Sequence, residues 1–157
     1  MEIQIGESGW VFAEMEPLIV ELLRALPACA DPGDEAARRR IFSSPTAGAD
    51  AEADREWRED VEPEMRALFQ SHVEVAAADL AGIRQTGDTF TLGIPAKNSR
   101  AWIHTLNQAR LALGARHGVT DEDTAGRRRP RGAKAFAIMQ IDFYAMLLST
   151  LLDRTEL

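Results

Sequence analysis

The sequence contains one cysteine, Cys29, and one tyrosine among its 157 residues. A single thiol excludes an internal disulfide, so the fold must rest on its core. The three histidines, His72, His104 and His117, are scattered and show no ligand spacing of the HExxH kind, so no metal site is expected. No Gly-rich phosphate loop and no GxSxG elbow occur, and Cys29 has no histidine near it in sequence. These absences predict a protein without catalytic activity and without a cofactor.

Positive charge is also scarce. Eighteen Lys and Arg face 25 Asp and Glu, a net charge of −7. That balance argues against a general nucleic-acid binder. The longest apolar run, 135–152, carries Gln140 and Asp142 near its middle. A bare carboxylate is costly in lipid, so the run reads as a buried helix, not a membrane span. The first residues show no basic start followed by a Leu-rich run, and a cytoplasmic location is expected.

What is present suits one globular domain over 1–157. Domains cluster near 100–150 residues, roughly this length, and 45% of the chain is hydrophobic. The charge is unevenly placed. Residues 50–64 hold eight acids against two arginines, while 127–134 hold five cations and no acid.

Patterning predicts an α+β fold, mostly helical, with a small antiparallel sheet. "MEIQIGESGWVFAE" reads as a hairpin turning at Gly6–Gly9. Pro17 opens a helix that Pro27 and the Asp31-Pro32-Gly33 turn close. Two helical turns precede Pro45, and a helical stripe runs from Ala49 to about Arg84, kinked or divided at Pro63. "DTFTLGIP" gives a strand near 89–94. The helix through 101–116 is expected to be capped by Asn98 or Ser99 and stopped by Gly118. The final helix, Lys134–Arg154, is apolar almost all round and is expected to be the central core element.

Residues 112–129 resemble a helix-turn-helix until their chemistry is read. The turn that would face DNA is "DEDT", whose acids would repel phosphates. Gly118 as a helix stop and Thr120 as the cap of a short turn fit better. The basic loop with Arg127, Arg128, Arg129 and Arg131 has no interleaved aromatics for stacking on bases. It reads as a solvated connection or as a loop docked on the acidic segment.

One polar group stands out. Asn107 and Arg110 sit three apart on one helix, and Asp142 sits in the most apolar one. A buried acid needs a partner, so Arg110 and Asp142 are expected to clamp two helices, with Asn107 beside them. The same three residues could instead floor a small-molecule pocket. Cys29 is read as a semi-buried thiol, with an intermolecular or capped redox role as the alternative.

The stretch 101–123, followed by a variable loop and the terminal apolar helix, resembles a bacterial domain-of-unknown-function family also called the actinomycete oxidative-stress regulator (AosR-like) family. Trp102, Leu106, Asn107, Arg110, Leu111, Leu113, Gly114, Arg116, Gly118, Thr120, Glu122 and Asp123 carry the resemblance, while His117 replaces a customary Leu. The resemblance implies a cytosolic, non-enzymatic regulator acting through protein contacts, in at least one branch with a redox-sensing cysteine pair. Cys29 alone cannot form that pair. The expected function is therefore a regulatory interaction protein that uses the acidic segment around Trp57 and the basic loop. A small-molecule-binding domain is the alternative. A protein partner is expected, nucleic acid and membrane are not, and the apolar final helix makes a homodimer a candidate.

Overall fold

A computed structural model of the chain describes residues 1–154; the last three residues of the expected 1–157 domain lie outside the described residues. Strands β1 (Glu2–Gly6) and β2 (Gly9–Met15) form the N-terminal hairpin. Short helices α1 (Pro17–Arg24), α2 (Leu26–Cys29) and α3 (Glu35–Ile41) follow. Next come α4 (Ala51–Asp60) and α5 (Glu62–Leu80), and a second hairpin of β3 (Arg84–Thr86) and β4 (Thr89–Pro95). Helices α6 (Ser99–Arg116), α7 (Asp121–Thr124) and α8 (Gly132–Arg154) complete the chain. The fold is α+β, with one four-stranded antiparallel sheet in the order β1-β2-β4-β3.

Two details differ from the sequence reading. The helix expected to reach Arg84 stops at Leu80, because residues 84–86 pair with β4. Pro63 sits in the first turn of α5, where its missing N–H costs nothing, so the stripe divides into two helices.

The sheet is aimed by two local devices. Gly9 lies at φ +129°, and a Cβ there would fall 2.0 Å from the carbonyl oxygen of Ile94. Only glycine allows β2 to approach β4 so closely. Between Phe12 and Met15 the register shifts, and Glu14 takes φ 52°. Residues three apart on a regular strand point to opposite faces. The bulge turns Met15 back, so both it and Phe12 are fully buried.

The central element is α6, not α8. Trp102, Leu106 and Ala109 are completely enclosed, and α6 packs against α2, α3, α5 and α8. The Trp102 ring meets Phe12 edge-to-face with centroids 6.1 Å apart, joining helix layer to sheet. Helix α8 buries Ala137, Tyr144, Leu147 and Leu151 along one face only. Its apolar composition exceeds what that face consumes, so the surplus lies at the surface. By length and mean hydropathy α8 could also cross a membrane. However, its Tyr144 hydroxyl donates to the Leu22 carbonyl at 2.7 Å inside the core.

Candidate functional site

Helix α6 contains no acidic residue. Its arginines therefore find acidic partners on other elements or none at all. On one flank the Gln108 amide donates to the Ala30 carbonyl at 2.6 Å. Arg116 Nε donates to Asp34 Oδ2 at 2.6 Å, and its terminal nitrogen reaches the Asp31 carbonyl at 2.7 Å. Asp34 also caps α3 by accepting from the Ala37 N–H. That bond first, and Arg116 second, hold its carboxyl below the usual range. At the other end, Trp102 Nε1 donates to Asp79 at 2.9 Å, beside the Asn98 amide. Asn98 stands at the N-cap position of α6 without making a cap bond, because its side chain is spent on Asp79.

Gly118 ends α6 at φ 57°. The Gly118 and Val119 N–H groups donate back to the Ala115 and Gly114 carbonyls, the glycine-terminated pattern that only a left-handed residue closes cleanly. Thr120 and Asp123 then form a reciprocal capping box on α7. Asp123 is buried and receives Lys134 at 2.8 Å. The acids of "DEDT" thus build the chain reversal into α8, and Glu122 pairs with Arg128 at 2.9 Å.

Asn107, Arg110, Leu111, Gly114 and Gly118 line one side of α6 and its C-terminal end. They floor an open hollow of about 580 Å³, walled by Arg40 of α3, Val119–Asp121 and Ile141 of α8. Arg40 and Arg110 make no ion pair among the described residues. Arg110 Nε is enclosed and has no hydrogen-bond partner. Leaving a buried donor unsatisfied costs about 1–3 kcal/mol, more for a charged group. Arg40 was not singled out in the sequence, although a signal exists. Arg38 and Arg39 have Glu35 one turn back and bond to it, whereas Ala36 and Ala37 stand one turn before Arg40.

The expected Arg110–Asp142 clamp does not form. Asp142 lies on the exposed side of α8, where water solvates the carboxylate and no partner is needed. The structure brings Asn107 and Arg110 together and leaves Asp142 outside the hollow's lining. Trp57 is half-buried on α4, and Arg127, Arg129 and Arg131 are exposed with no ion pair among the described residues. Among the described residues no ion pair docks the basic loop on residues 50–64. Two acids of that segment are buried, not solvated faces. Glu62 is buried and bonds Arg38 Nε at 2.8 Å. Asp54 accepts from the Thr46 hydroxyl and from the Gly48 N–H, closing the α3–α4 loop.

Cys29 is buried, with Gln140 Nε2 at 3.4 Å and the Tyr144 hydroxyl at 3.8 Å from its sulfur. Burial pushes its thiol pKa up, against the smaller opposing effect of those contacts and of Arg116. Among the described residues no group of three metal-ligating side chains occurs. Two of the scattered histidines do meet: His72 and His104 stack with centroids 4.7 Å apart. Burial first, then the neighbouring His104 and Arg100, lowers the pKa of His72.

Neither the curated proteins nor the solved structures contain a match to this sequence. A family model does match, over residues 8–155, and its description is that of a domain of unknown function, DUF2017. It covers β2, the α6 stripe and the terminal helix alike, and leaves out β1. The chain belongs to the DUF2017 family.

Proposed function

We propose that this protein is a non-catalytic regulatory domain of the cytoplasm that works by binding another protein, with the outer face of α8 as the contact. The carrying observation is that face. Phe136, Met139 and Met146 lie three and seven residues apart, on one side of the helix, and are 52%, 38% and 44% exposed. Exposed apolar side chains grouped on one helix face mark interaction sites, and methionine adapts to a partner's shape. Arg127, Arg129 and Arg131 precede the stripe and are exposed. The partner is therefore a protein whose apolar patch is rimmed by acids.

The resemblance to the oxidative-stress-regulator branch supports the same reading. This chain would regulate without that branch's thiol switch, since Cys29 has no second cysteine to pair with and lies inside the core.

The test is the double variant Phe136→Glu/Met146→Glu, made at exposed positions where substitution changes stability by about 0.5 kcal/mol or less. In cell extract, the wild-type chain should elute well above its own 17.3 kDa, and the folded variant should elute alone. Equal elution of the two would overturn the reading. A wild-type protein that is dimeric when pure, and a monomeric variant, would make a second copy the partner.

A further inference from the structure

We propose that the hollow over the Asn107–Arg110 stripe is a binding site for a small organic monocarboxylate with a compact apolar body. The site is separate from the α8 contact face: Ile141, which walls it, lies about 200° around the helix from Met139.

Two arginines, Arg40 and Arg110, line the hollow in a chain with seven more acids than bases, yet neither makes an ion pair among the described residues. A planar guanidinium fork matches the carboxylate geometry. The enclosed Nε of Arg110 has no hydrogen-bond partner in the protein, and Asn107, three residues earlier on α6, can supply an amide donor beside the guanidinium. Asp121 also lines the hollow, so two cations and one acid leave a net charge of +1. That charge balances a single carboxylate and leaves a phosphate dianion only half neutralised. Leu111, Val119 and Ile141 supply an apolar wall, which a bare inorganic anion would leave uncovered. The volume, about 580 Å³, falls in the usual range for small-ligand clefts. Gly114 leaves the floor open, since a Cβ there would meet nothing within 4 Å.

The test is titration of the full chain with isovalerate, acetate and inorganic phosphate, following the Arg110 Nε–H resonance by NMR. Isovalerate should shift it saturably and bind roughly tenfold tighter than acetate, which lacks the buried carbons. Chloride at equal ionic strength should leave it unmoved. Gly114→Leu fills the hollow from within while keeping both arginines, and it should abolish the isovalerate shift in a protein that remains folded. Arg110→Gln should weaken isovalerate binding at least tenfold, read on the Leu111 and Val119 amides. An Nε–H that stays put at tens of millimolar isovalerate overturns the proposal. So does phosphate binding as tightly as isovalerate, or unchanged binding in Gly114→Leu.

Discussion

Lys134 Nζ stands 2.8 Å from Asp123 Oδ2, and the carboxylate side chain is almost completely covered. The same oxygen accepts from the Thr120 backbone N–H and hydroxyl, each at 2.9 Å. One acid thus caps α7 and ties down the start of α8. The start of α8 is held in place by this pair, across a loop in which Arg128 pairs with Glu122 and Arg127, Arg129 and Arg131 are exposed.

This pair makes stability depend on acid in a defined window. Lys134 first, with the Thr120 N–H, lowers the Asp123 pKa from 3.8 to about 2. Asp123 is therefore charged in the fold where it would be protonated in the unfolded chain. Its stabilisation is complete above the ordinary value and is lost as pH falls through about 2. Asp123→Asn should lower the melting temperature at pH 7, with the gap to wild type closing between pH 4 and 2. Thermal unfolding across that range checks it; a constant gap would count against the pairing.

Asp79 collects the Trp102 indole N–H and the Asn98 amide. Trp102 is fully buried, so removing the acceptor strands its donor. Asp79→Ala should cost about 1–3 kcal/mol, read as a lower urea midpoint with an unchanged slope. Trp102→Phe tests the same bond from the other side and should also destabilise.

The stacked histidines predict a second, milder pH effect. His72 has its pKa lowered from 6.5, by burial and by facing His104 and Arg100. The folded state therefore resists a proton that the unfolded chain accepts. Stability is full above 6.5 and declines as pH falls below it. His72→Phe keeps a ring to stack and should flatten the melting-temperature profile between pH 7 and 5. An unchanged slope would assign the effect elsewhere.

Cys29 should behave as a core side chain. Its burial and raised pKa leave little thiolate at neutral pH, and the thiolate is the reactive form. A disulfide reagent should label the native protein slowly and the urea-unfolded chain at once. Rapid labelling of native protein would revive a redox role for this residue.

The sequence reading reached the elements whose signals are local. Pro17 and Gly118 mark helix ends that the structure keeps. The hairpin at Gly6–Gly9 and the Thr120 cap also stand where the pattern placed them. It missed β3, because three exposed residues, Arg84–Thr86, are a strand only by pairing with β4. It overrated α8, because composition counts apolar residues without saying which face has a neighbour. The site divides the same way. Asn107 and Arg110 share a helix and were legible together, whereas Arg40 joins them from α3 through packing. Asp142 was assigned a buried partner on the assumption that its whole helix is enclosed; its own side is exposed.

The central claim is that the outer face of α8 binds a protein. It is tested most directly by a photo-crosslinking amino acid at Met139, with one at exposed Leu68 of α5 as control. Irradiated in cells, the Met139 position should give one discrete protein adduct that the Leu68 position does not, and Phe136→Glu should abolish it. No adduct at Met139, or the same pattern from both positions, would contradict the account.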